Sequence, residues 1–120
     1  MQKKILVISR HAPYGNSTAR EAIDAALAAS VYDQDISMLF MDDGIFQLLK
    51  NQRSQFIDQK NIASTLPALS LYGIENIYAH QESLEQRAIS TEELILDDIK
   101  ILNDHDIKNL LSKQDHLLSF

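Results

Sequence analysis

Ile5-Leu6-Val7-Ile8 is an unbroken run of large apolar side chains, β-branched at three of its four positions. A strand with one wet face alternates apolar and polar residues, so an unbroken run belongs to a strand covered on both faces, as in a parallel sheet flanked by helices. The run is therefore expected to form a first, central strand. Asp35-Ile36-Ser37-Met38-Leu39-Phe40-Met41, Glu75-Asn76-Ile77-Tyr78-Ala79-His80, Ile99-Lys100-Ile101-Leu102 and His116-Leu117-Leu118-Ser119-Phe120 read as four further strands.

Helical patterns separate them. Ala19, Ala22, Ile23, Ala26, Leu27 and Ser30 recur three and four residues apart, along one helix face, with Ser17 or Thr18 as the cap. Alanines let such a helix lie close to a sheet, while Arg20, Glu21 and Asp24 should be solvated or reach a neighbouring chain. Residues 58–71 predict a helix that kinks or restarts near Leu66 because of Pro67 and ends at Gly73. Residues 82–87 predict a short helix, Ser90-Thr91-Glu92-Glu93 fits a capping box, and Asn103 caps a last helix with Ile107, Leu110 and Leu111 on its apolar stripe. Asp42-Asp43-Gly44 reads as a turn. The alternation implies an α/β chain, one domain over residues 1–120, built as a doubly wound, mostly parallel five-stranded sheet of flavodoxin size with helices on both faces.

Composition narrows the chemistry. The chain has no cysteine, which excludes disulfides, thiolate metal sites and a thiol nucleophile of its own. Its formal net charge of −6 has the wrong sign for wrapping a phosphate backbone, so unaided nucleic-acid binding is not expected. Nothing approaches the roughly 18 apolar residues that span a bilayer, and the run at Ile5 is shorter than a secretory core of roughly 7–15. A cytoplasmic protein without membrane contact is the expectation.

Several clusters invite a chemical reading. Arg10-His11 after a strand resembles the phosphoryl-transferring pair of histidine phosphatases, but Ala12 stands where that family has glycine. The loop Tyr14-Gly15-Asn16-Ser17-Thr18 precedes a helix and offers N–H groups to an anion such as a flavin phosphate, although capping explains it as well. Asp42 and Asp43 sit where aspartates bind magnesium in some α/β enzymes, yet no third ligand is evident, and the four histidines lack the i, i+4 spacing of a helical zinc pair. No metal or cofactor is expected. His80 ends a strand before a short helix, where α/β folds place reactive side chains. Ile45, Phe46, Leu48 and Leu49 crowd a segment too short to bring all four to one core, which marks them as candidates for a subunit interface.

Three blocks carry a family likeness: Ala19-Arg20-Glu21-Ala22-Ile23-Asp24-Ala25, Asp43-Gly44-Ile45-Phe46-Gln47-Leu48-Leu49 and Leu71-Tyr72-Gly73-Ile74-Glu75. With Arg20, Glu21, Asp43, Gly44, Gln47, Tyr72 and Gly73 as its motif residues, the chain resembles the TusC (DsrF) sulfur-relay proteins over essentially its whole length. The resemblance implies a subunit of a complex with TusB-like and TusD-like chains, a dimer of heterotrimers with three related folds. In that relay a TusD cysteine carries the persulfide, sulfur arrives from a TusA-like carrier, and a TusE-like carrier passes it on for 2-thiolation of the tRNA wobble uridine. The superfamily's sulfur position then falls on His80, which cannot form a persulfide, so the implied role is a non-catalytic scaffold. The alternative is a stand-alone small α/β protein that binds an anion or flavin.

Overall fold

The computed structural model describes residues 2–13, 17–49, 65–96 and 98–120. Its five strands are β1 (Lys4–Ser9), β2 (Asp35–Phe40), β3 (Asn76–His80), β4 (Lys100–Leu102) and β5 (His116–Ser119). All pair in parallel, in the order β4-β3-β2-β1-β5. β1 is thus interior, as its apolar run requires, but the middle strand is β2, which is buried from Ile36 to Phe40.

From β1 the chain steps strand by strand to β4 with the described parts of each connection on one face, then returns across the opposite face to place β5 beside β1. Right-handed crossovers demand this, because reversing the direction of travel reverses the face. On the first face α1 (Thr18–Ser30) lays Ala19, Ala22, Ile23 and Ala26 against Val7, Ile36, Met38 and Phe40. That core also takes in Ile45, Leu48, Leu66, Leu69, Ile77 and Leu84, the last from α2 (Gln81–Gln86). On the second face α3 (Asp104–Ser112) buries Ile107 against Leu6 and Leu39, flanked by half-buried Leu110 and Leu111. The Asn103 side chain caps α3, accepting a 2.8 Å bond from the Asp106 N–H.

Local expectations fail in places. Residues 58–64 of the helix expected over 58–71 lie outside the described residues, and the rest is a 3-10 helix, Leu66–Tyr72, with Pro67 in its first turn. Pro67 has no N–H to donate and fits a helix start, and Gly73 at φ 83° closes the segment. Ser17 makes no capping bond to the backbone; its hydroxyl donates to Glu21 Oε1 at 3.0 Å. Ser90 caps nothing either, because Thr91–Glu93 is a single 3-10 turn with no longer helix to close the box. Asp42-Asp43-Gly44 opens the 3-10 helix Asp42–Leu48 instead of forming a separate turn.

Candidate functional site

Parallel strands all end at one edge of their sheet, and ligand chemistry in open α/β sheets gathers there. In this chain the ends of β1, β2 and β3 bring Ser9, Phe40 and His80 to that edge. The 3-10 helix Asp42–Leu48 then crosses over them.

Gly44 permits the crossing. A Cβ at this position would lie 2.1 Å from the Ser9 carbonyl oxygen and 3.2 Å from the Arg10 Cα, so only a hydrogen fits against the backbone leaving β1. Gln47 is fully buried, and its Nε2 donates to Ser9 Oγ at 2.6 Å and to the His11 carbonyl at 2.9 Å. Asp43 Oδ1 accepts from Arg87 Nη2 at 2.9 Å, and the same guanidinium lies 5.9 Å from the centroid of the Phe46 ring. Asp42 takes a left-handed φ of 51°, and its N–H donates to Ser83 Oγ at 2.9 Å. The segment is therefore a clip that joins the ends of β1 and β2 to α2.

This geometry corrects the interface expectation for two of its four residues. Ile45 and Leu48 are both fully buried in the first-face core, so neither is available to a partner, while Phe46 and Leu49 are partly covered. Two of the four side chains reach that core, because a 3-10 turn directs residues three apart, Ile45 and Leu48, to the same side and Gly44 lets the segment settle onto the sheet.

His80 is 8% exposed and both ring nitrogens are engaged. Nδ1 lies 2.7 Å from Ser83 Oγ, and Nε2 lies 2.6 Å from Asp104 Oδ1 at the start of α3. The Ser83 oxygen already accepts from Asp42, so its own hydrogen is free to point at Nδ1, which assigns the ring proton to Nε2 and the Asp104 carboxylate. Serine, imidazole and carboxylate follow in the order of a hydrolytic triad, yet Ser83 is 1% exposed, with no room for a substrate at its hydroxyl. The network instead holds β3, α2 and α3 together. Donor atoms of His80, Glu82 and Asp104 also lie within 4.8 Å of one another, next to a cavity of about 320 Å³ lined by Glu82, Glu85 and Asp104.

Asp43, Gly44 and Gln47 join His80 at this edge, whereas the other motif residues do not. Arg20 pairs with Asp24 at 3.3 Å and Glu21 with Ser17 on the exposed side of α1, while Tyr72 and Gly73 close a 3-10 helix just before β3 begins. Gly15 of the anion loop lies outside the described residues. Sequence reasoning missed Ser83, Asp104 and Arg87 as partners; the available signal was Ser83, one helical turn after His80.

Comparison with known proteins converges on one group. Residues 3–120 match the DsrE/DsrF-like family. A protein TusC homolog from Pseudomonas aeruginosa is 36% identical over 119 residues, covering 99% of each chain, and one from Vibrio parahaemolyticus is 38% identical over 117 residues, covering 98% of each. Among solved structures, the ychN protein from E. coli superposes with a TM-score of 0.81 at 23% identity, and a protein of unknown function from Methanobacterium thermoautotrophicum with 0.60 at 10%, each covering both chains completely. The two structures support the fold. With the family matched over nearly the full length and the curated relatives agreeing, the chain belongs to the DsrE/DsrF-like family, among its TusC (DsrF) sulfur-relay proteins.

Proposed function

We propose that the chain is a non-catalytic subunit of a TusBCD-type complex that supports 2-thiolation of the tRNA wobble uridine in the cytoplasm. TusB-like and TusD-like chains are its direct partners, and TusA-like and TusE-like carriers meet the complex through the TusD-like cysteine. The observation that carries this reading is His80. It ends a strand ahead of a short helix, where the resemblance puts the superfamily's sulfur, and its imidazole is committed to Ser83 and Asp104. A chain without cysteine that belongs to a sulfur-relay family contributes surface and stability to the subunit that does carry sulfur.

The flavin or anion alternative is not favoured. Glu21 puts a carboxylate in the first turn of α1, bonded to Ser17, where the helix start would otherwise attract a phosphate. Deleting this subunit alone should lower wobble thiolation at least tenfold, measured by mass analysis of tRNA nucleosides, because a partner left with bare apolar surface loses its folded population. Normal thiolation in such cells would refute the proposal.

A further inference from the structure

Ser37 is the one polar residue in the run Ile36 to Phe40, and it lies on the middle strand of the sheet at 6% exposure. It shares the second face with Leu39 and sits in register with Leu6 of β1 and Asn76 of β3. Among the described residues none bonds its hydroxyl, and Ser37 lines a cavity of about 410 Å³ between the sheet and α3. A buried hydroxyl is costly without a partner, so a polar group entering from that cavity is stabilised there. Two charges stand beside it. Lys4 and Asp35 are register partners on β1 and β2 and line the same cavity, yet they do not pair with each other; the ion pairs among the described residues are Arg20 with Asp24, His80 with Asp104 and Arg87 with Asp43. Burial, and then the charge of Asp35, raise the phenol pKa of Tyr78, another lining residue, so the field of that carboxylate is felt inside the cavity. From above, Lys113 at the end of α3 brings a second unpaired ammonium, and Leu102 and Leu110 supply an apolar wall.

We propose that this cavity binds a free α-amino acid with an aliphatic side chain, its ammonium group at Asp35 and its carboxylate between Lys4 and Lys113. This goes beyond the sulfur-relay reading and does not depend on it. The volume lies within the roughly 300–1,000 Å³ of small-molecule sites. Opposite charges that stand side by side without pairing are satisfied together by a ligand that carries both signs on neighbouring atoms. An internal residue of a polypeptide carries neither charge on its backbone, and the two termini of a chain carry them far apart, whereas a free amino acid has both on one carbon. Asp106 also lines the cavity, but it stands seven residues before Lys113, about 10 Å along α3, so Asp35 is the carboxylate placed to share the ligand with the lysines. Ser37, next along the same face of β2, accepts a second bond from the ammonium group. The aliphatic side chain then rests against Leu102 and Leu110.

Three probes separate the two charges: L-leucine, N-acetyl-L-leucine, which has no ammonium group, and L-leucine methyl ester, which has no carboxylate. In titration calorimetry the full-length chain should bind L-leucine with a Kd on the order of 0.5 mM, as suits so small a ligand, and each of the other two about tenfold more weakly. Asp35→Asn should weaken L-leucine about tenfold and leave N-acetyl-L-leucine unchanged, because that probe has nothing to lose at Asp35. Lys113→Met, at an exposed position where the fold does not depend on the charge, should weaken L-leucine and leave the methyl ester unchanged. Circular dichroism checks that both variants are folded. No binding of L-leucine at about 10 mM would overturn the proposal. Equal affinity for all three probes would overturn it as well, since that is adventitious apolar binding, and so would an unchanged L-leucine affinity in either folded variant.

Discussion

On the face that carries α1, the sheet is covered by α1, two 3-10 helices and α2, whereas on the opposite face α3 is, among the described residues, the only helix packed against it. The first face buries seventeen apolar side chains, Val7 to Leu94, among the described residues, with a cavity of about 300 Å³ at its margin beside Leu66, Ile74 and Ile77. The second buries Leu6, Leu39 and Ile107 and leaves a cavity of about 410 Å³ beside α3, lined by Lys4, Ser37, Asn76, Tyr78, Asn109 and Lys113 among others. Both faces come from strands of similar apolar content, so the difference lies in the connections. Described segments of three crossovers pack on one side and of one on the other. Tight packing also coincides with the family motif, because the clip Asp42–Leu48 belongs to the first face.

The widest gap between the faces should appear in stability. Leu48→Ala removes a fully buried side chain from the larger core, and should cost about 4 kcal/mol, whereas Ile107→Ala, 8% exposed in a cluster of three buried side chains, should cost about 2 kcal/mol or less. Urea denaturation of the two variants measures both. Equal losses would mean that α3 seals its face as firmly as the clip seals the other.

Gly44→Ala comes next. One methyl group has to displace the Ser9 carbonyl or push the clip off the sheet, since the clash is with backbone and not with a side chain that can turn away. About 3 kcal/mol of destabilisation is expected, and Gly73→Ala, with open space around its Cβ, should cost less despite its φ of 83°. A Gly73 variant that proved worse than the Gly44 variant would show that left-handed backbone outweighs the close approach.

How much of this was legible in the sequence depended on the range of the interaction. The parallel sheet, the helices on both faces and the Asn103 cap follow from apolar runs and from side chains that bond three residues along. β2 as the middle strand does not, because strand order is set by which crossover reverses, and no single segment encodes that. The clip was misread for a related reason. Pattern alone groups Ile45 and Leu48 with Phe46 and Leu49 as surface for a partner, and only the distance from Gly44 to Ser9, 35 residues earlier, shows how closely the segment seats those two into the core. His80 was legible as a strand-end histidine. Its partner Asp104 was not, since it arrives from the start of α3, on the far side of β4.

The comparison also bears on that histidine, which stands where the two faces meet. His80→Ala removes two hydrogen bonds but leaves Ser83 bonded to Asp42 and leaves Asp104, already well exposed, free to take water. About 1–2 kcal/mol of stability should go. Sulfur transfer by the assembled complex should stay within a few-fold of wild type, because the ring only ties α2 to α3. A hundredfold loss of persulfide transfer in a complex still whole by light scattering would make the histidine a participant in its neighbour's chemistry.

The smallest effect concerns the open face and is read in pH. Burial, and secondarily the negative charge of Asp35, raise the Tyr78 phenol above its usual pKa of 10.0. The folded chain therefore holds that proton more tightly than the unfolded chain does. By linkage this stabilisation is complete below pH 10 and is lost as the pH climbs from 10 through the higher folded-state value. Tyr78→Phe keeps the ring beneath the Lys100 ammonium, 5.7 Å from its centroid, so the cation–π contact survives and only the hydroxyl is removed. Wild type and variant should be nearly equal in stability at pH 8, where the phenol is protonated in both states. Above pH 10 the wild type should lose stability faster, because it alone must ionise a phenol against low-dielectric surroundings. Parallel pH profiles for the two proteins would mean that water in the cavity solvates the phenolate, and that this face of the sheet is wetter than its packing suggests.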